Sequence, residues 1–185
     1  MTPSVAPATG RLGVLTVGLG AVSSTLIAGV ELVKKGLGQP IGSLTQMDTI
    51  RLGKRTDGRT PLIKEFVPLA DLNDVVFGAW DPFPDDAYVA AQRAGVLESS
   101  RHLEAISEQL RSVQPMKAAF DPQYVKRLDG QNTIGSVDKR RMLETIREDI
   151  NRFKDVNKLE RVVMIWCAST ETYIEPGATH ASIEA

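Results

Sequence analysis

The chain has 185 residues, 42% of them hydrophobic and 24% charged, with a formal net charge of −1. That is long enough to bury a core as one ordinary domain, and it offers no basic field to hold nucleic acid or an anionic membrane surface. One cysteine and two histidines exclude an internal disulfide and a metal site of the usual Cys/His kind, and they point to a reducing, cytoplasmic setting.

The opening MTPSVAPATG has neither the basic start nor the apolar core of a signal peptide, so residues 1–11 read as a loose tail. From Leu12 to Val30 the sequence carries no charge, a run close in length to a membrane span. Gly13, Gly18, Gly20 and Gly29, with Ser23, Ser24 and Thr25, leave it only moderately apolar, and Glu31, Lys34 and Lys35 follow at once. A membrane reading is rejected on those grounds. Instead, LGVLTV at 12–17 predicts a strand buried on both faces of a parallel sheet. From Ala21 the period becomes helical: Val22, Leu26, Val30 and Val33 form an apolar stripe, Lys34 and Lys35 suit the C-terminal end of the dipole, and Gly36 is a stop.

The junction VGLGAVSST, residues 17–25, has a chemical use. Gly18 permits a tight turn, Gly20 lets the backbone approach a pyrophosphate, and the first free amides of the helix supply donors. Gly18, Leu19, Gly20, Ala21 and Val22 then form a phosphate cradle. The third position of G-x-G-x-x-G is Ser23, small enough for close helix–strand packing but a weaker formal match. The competing reading is a glycine-rich corner without a ligand.

A dinucleotide fold also wants an acid for the ribose hydroxyls. IGSLTQM at 41–47 is compatible with a second strand ending at Asp48, and residues 51–65 read as a long loop or hairpin. Val75 to Trp80 is a further strand, with Asp81 at its C-terminal end before Pro82. Asp48 and Asp81 are both candidates, and Asp81 has an alternative as the cap of a helix beginning near Asp85. Leu103, Ile106, Leu110 and Val113 predict an amphipathic helix, MKAAF (116–120) a short strand, and Met142, Ile146, Ile150 and Phe153 another helix. That last helix, within 138–155, mixes both signs of charge around its stripe, the mark of a solvated outer face.

RVVMIW at 161–166 is a buried strand, and the polar turn CASTE follows it. Cys167 invites a nucleophile reading, but no histidine is near it in sequence, and a small residue at a strand end explains it equally well. His102 and His180 read as surface residues. Alternation of this kind implies an α/β fold with a Rossmann-like, doubly wound parallel sheet. The turn at 18–22, Asp81, the Phe120 region and residues 167–170 then share one edge of that sheet.

Taken together, IGSLTQMDTIRLG (41–53), VVFGAWD (75–81), FDPQYV (120–125) and IWCASTETY (165–173) resemble inositol-3-phosphate synthase, also called myo-inositol-1-phosphate synthase. The last segment is similar to that family's W-T-A-N-T-E-R-Y signature, with Cys167, Ser169 and Thr172 substituted. The resemblance extends over almost all of the chain from Leu12. It is to the bacterial type, because GLGAVSST is shorter than the glycine- and asparagine-rich loop of the eukaryotic members.

What the resemblance implies is a Rossmann-like domain over residues 12–185 that holds NAD and is incomplete without downstream sequence. The enzyme it implies converts D-glucose 6-phosphate to 1D-myo-inositol 3-phosphate by oxidation, enolisation, aldol cyclisation and reduction, in inositol and phospholipid biosynthesis. By position, Gly18 to Val22 would cradle the pyrophosphate, and Asp81, in preference to Asp48, would hold the adenosine ribose. Ala119 and Phe120 would line the adenine side, and Cys167, Ala168 and Ser169 would approach the cofactor from another loop. A homotetramer is implied as well. The family's substrate-phosphate motif, catalytic lysines and tetramer-forming sheet lie downstream of TETY, so no catalytic or metal-binding residue is assigned, and the chain alone is expected to be inactive. Two other readings stand beside this one: a stand-alone nucleotide-binding or regulatory module, and a generic NAD-dependent dehydrogenase lacking its substrate domain.

Overall fold

The structure, a computed structural model, describes residues 9–123, 125, 128–135, 138–168 and 177–178. Its centre is a four-stranded sheet of β1 (Arg11–Val17), β2 (Val75–Asp81), β3 (Pro115–Lys117) and β4 (Leu159–Trp166), in the order β3-β2-β1-β4. Every neighbouring pair is parallel, as expected where helices return the chain between strands. β1 is central because its apolar, β-branched residues have cover on both faces, and Leu15 and Thr16 are fully buried.

One face is covered by α1 (Ala21–Lys34), α4 (Ala87–Ala94) and α5 (Ser107–Ser112), the last entered through a π turn at Ser99–Leu103 and a 3-10 turn at Glu104–Ile106. Ile27, Leu103, Ile106 and Leu110 are fully buried there, each contributing roughly 1.5–3 kcal/mol relative to exposure. The other face carries α6 (Lys139–Asn157). Its Phe153 ring occupies the space a Cβ at Gly13 or Gly78 would need, at 2.8 and 2.9 Å. Those two glycines form the groove that seats α6. With α6 crossing from β3 to β4, the sheet is doubly wound, and its strand order reverses at β1.

Several expectations need correction. IGSLTQM is not a strand: Leu44–Met47 forms a short helix, α2, and its apolar residues lie largely exposed. Ile41, Leu44 and Met47 recur every three residues, which suits a helical turn and not a pleat. Residues 49–62 close as a hairpin through an antiparallel bridge between Thr49 and Leu62, before α3 (Ile63–Phe66). α1 exists as expected, but its phase differs. Val22 is 70% exposed, and the face against the sheet is Ser23, Ser24, Ile27, Ala28 and Leu32. Small residues win that face because the tight turn at 18–20 brings the helix start close to the strand. The helix after Asp81 begins at Ala87, two residues beyond Asp85, and its cap is Asp86, whose Oδ1 accepts from Val89 N at 2.9 Å. Asp81 is therefore not a helix cap. Of the expected tail, residues 9–11 are described: Arg11 belongs to β1 and not to a tail, and the Thr9 hydroxyl donates to Glu160 at 3.0 Å.

β4 is the outer strand. The expectation that RVVMIW is buried is corrected: Val163, Met164, Ile165 and Trp166 are all exposed, because among the described residues this strand lies at the rim of the sheet and not inside it.

Candidate cofactor site

The carboxyl ends of β1 and β2 are locked together before any ligand is considered. Gly18 N donates to Trp80 O at 2.8 Å, and Leu19 N donates to Asp81 Oδ2 at 2.6 Å. Asp81 Oδ1 accepts from Phe83 N at 2.9 Å. One carboxylate thus fixes both the first turn and the turn after its own strand. On the other side, Cys167 N donates to Val17 O at 2.9 Å, which brings the exit of β4 against the same turn.

Gly18 sits at φ +98°, and a Cβ there would lie 3.0 Å from the backbone of Ala168. Both facts restrict the position to glycine. At Gly20 nothing lies within 4 Å of the place a Cβ would take, so the main chain there faces open space. Ser23, fully buried, donates through its hydroxyl to Gly18 O at 2.7 Å. The residue at the third fingerprint position therefore ties the turn as well as fitting beneath it. The helix starts without a side-chain cap. Among the described residues the amides of Gly20, Ala21 and Val22 have no hydrogen-bond partner, and they point the positive end of the helix dipole outward.

Above this edge lies a cavity of about 650 Å³, within the usual range of roughly 300–1,000 Å³ for ligand sites. Gly18, Leu19, Gly20, Ala21, Asp81, Ala119, Phe120, Cys167 and Ala168 all line it. Val22 does not, and Ser169 lies outside the described residues. Asp48 is elsewhere, at the end of α2, where its Oδ1 accepts from Thr49 N. Trp80, within VVFGAWD, also lines it, as do Phe83 and Arg93, which no sequence motif marks. Arg93 pairs with Asp85 at 2.7 Å.

Burial raises the Cys167 thiol above its ordinary value, which leaves it protonated and poorly nucleophilic at neutral pH. Among the described residues, no group of three His, Cys, Asp or Glu is placed to hold a metal ion, and no helix is long and apolar enough to cross a membrane.

The sequence profile of the NAD-binding domain of myo-inositol-1-phosphate synthase matches residues 12–185. The chain belongs to that family. Inositol-3-phosphate synthase 1 of Bacteroides thetaiotaomicron is 47% identical over 186 residues, covering 100% of this chain and 42% of the relative. The synthase of Dictyostelium discoideum is 33% identical over 88% of this chain and 35% of its own length. A crystal structure of inositol-3-phosphate synthase from Caenorhabditis elegans superposes with a TM-score of 0.80 at 27% identity, over 91% of this chain and 36% of that one. The chain therefore spans 35–42% of the length of these relatives.

NAD is the cofactor of this synthase domain, and the residues present fit it. The open amides at Gly20 to Val22 suit a pyrophosphate, and the carboxylate of Asp81 stands at the end of the neighbouring strand, where a ribose diol is held in folds of this kind. Phe83 and Phe120, both on the cavity wall, offer apolar surface that suits a flat heterocycle.

Proposed function

We propose that this chain is the cofactor-holding portion of an inositol-3-phosphate synthase, which turns D-glucose 6-phosphate into 1D-myo-inositol 3-phosphate by oxidation, enolisation, aldol cyclisation and reduction. Such an enzyme acts as a cytoplasmic homotetramer in inositol and phospholipid biosynthesis. Bound NAD supplies a hydride acceptor for the first step and a donor for the last. The chain's own residues bind and orient. The amides of Gly20, Ala21 and Val22 take the pyrophosphate, with Gly18 and Leu19 shaping the turn. Asp81 accepts from the adenosine ribose through lone pairs left over from Leu19 and Phe83. Ala119 and Phe120 line the adenine side. Cys167 and Ala168, with Ser169 next in sequence, are assigned to the cofactor from another loop, Cys167 as a neutral wall.

One observation carries this reading: an uncapped helix start with open amides lies beside the Asp81 carboxylate where the strand order reverses. Calorimetric titration of NAD into the folded chain tests it. Saturable binding is expected, without conversion of glucose 6-phosphate by the chain alone. Absence of heat at millimolar NAD, with folding verified by circular dichroism, overturns it.

A further inference from the structure

Beyond β3 the chain returns at residues 128–135, where Leu128 lines the cavity and one side chain makes an unusual set of bonds. Asn132 Nδ2 donates to Asp81 O at 2.9 Å, Met116 O at 3.1 Å and Pro115 O at 3.3 Å. Its main chain repeats the pattern: Asn132 N donates to Pro82 O at 2.8 Å, and Asn132 O accepts from Ala118 N at 3.0 Å. Ile134 N then donates to Ala118 O at 3.0 Å, and Thr133 bridges Ala118 in parallel register. The fit is close, since a Cβ at Gly130 would stand 2.5 Å from Pro82 O.

β3 has three residues and pairs with β2 only through Ala79, Trp80 and Asp81. So short a strand does not hold its own end in place. The residues that follow it, Ala118 to Phe120, form one cavity wall, and Asp81 forms the adjoining one. The Asn132 amide donates to the Asp81 carbonyl on one wall and to the Pro115 and Met116 carbonyls of β3, the strand that leads into the other. Its two N–H groups are shared among three acceptors, while its main-chain oxygen accepts from Ala118 N.

We propose that Asn132 is a positioning residue for the adenosine half of the cofactor, setting the distance between the Asp81 carboxylate and the Ala118–Phe120 wall. It touches neither half of NAD itself. The assignment rests on the NAD reading above and adds to it a specific determinant of how the adenosine subsite is built.

The test uses the full 185-residue chain, unaltered and as Asn132→Ala and Asn132→Asp, titrated with NAD, adenosine 5′-monophosphate and inorganic pyrophosphate. Both variants remove the donating amide. Affinity for NAD and adenosine 5′-monophosphate is expected to fall about tenfold or more. Pyrophosphate, which meets only the first turn, is expected to bind within about twofold of the unaltered chain. A purely structural role would not split the ligands in this way. If the unaltered chain binds the adenine ligands and both variants bind them equally well, Asn132 has no such role and the NAD reading survives. If the unaltered chain binds neither NAD nor adenosine 5′-monophosphate, both readings fall. Should the variants not fold, hydrogen exchange on the unaltered chain decides. Adenosine 5′-monophosphate is expected to slow exchange at the amides of Ala118, Asn132 and Ile134, and unchanged exchange there overturns the proposal.

Discussion

Gly18 and Asp81 shape the same turn by opposite means, one through having no side chain and the other through a charged one. At φ +98° and with Ala168 at 3.0 Å, alanine at position 18 meets a left-handed backbone cost of roughly 1–2 kcal/mol as well as a clash. Urea denaturation of Gly18→Ala is expected to show at least that loss; an unchanged midpoint would show that the turn relaxes freely. Asp81→Asn is expected to weaken NAD binding by on the order of 1.5–3 kcal/mol, the value of a hydrogen bond to a charged group. Asp48→Asn, far from the cavity, is expected to leave it unchanged, and calorimetry showing the reverse order would move the ribose site. Cys167, with its thiol raised by burial, is expected to react with Ellman's reagent more slowly than a free cysteine, and more slowly again with NAD present. A rate equal to that of the urea-unfolded chain, unaffected by NAD, would remove it from the cavity wall.

Among the elements, α6 is the one whose attachment depends on acidity. Its first residue, Lys139, is paired with Asp121 just beyond the cavity wall, and Gln123 N donates to the same carboxylate at 3.0 Å. Those partners, Lys139 foremost, hold the Asp121 carboxyl below its ordinary value of 3.8. The native state therefore binds its proton later than the unfolded chain does. The contact's stabilisation is complete above that ordinary value and drains away as pH falls through the lowered one. Thermal unfolding followed from neutral pH into acid is expected to show a smaller acid-dependent decline for Asp121→Asn, and identical profiles would detach α6 from this contact.

The strands around that helix were readable because LGVLTV, VVFGAW and RVVMIW are compact apolar, β-branched runs, although only the first two lie in the sheet interior and the burial expected of RVVMIW failed at the rim. Asp81 was legible as a strand-end acid in the same way. IGSLTQM misled because a short apolar segment without a covering partner carries no reliable period. The phase of α1 misled because large apolar residues stand out in a sequence, whereas the tight turn admits serine and alanine beneath it. Asn132 left no trace at all: its bonds go to main-chain carbonyls, which any residue supplies, from a segment some fifty positions away from Asp81.

At the scale of the molecule, the doubly wound sheet is flanked on its β3 side by residues 128–135, and β4 is its outermost strand among the described residues. Exposed apolar side chains at Val163, Met164 and Ile165, on the outermost of the described strands, favour association. Light scattering during size-exclusion chromatography is expected to show concentration-dependent oligomers of this chain. Lysine at both Val163 and Ile165 is expected to return it towards the monomer, and a monodisperse unaltered chain at high concentration would count against β4 as the adhesive strand.

The only two tryptophans stand at the ends of strands that differ in just this respect. Trp80 is 5% exposed, with its Nε1 donating to Asp149 at 3.0 Å, and Trp166 is 64% exposed. The protein thus carries two optical reporters of different colour, one emitting from a dry setting and one from a wet setting. A small ligand filling the cavity they both border quenches the pair together, whereas a polypeptide laid over the last strand shifts only the redder emission towards the blue.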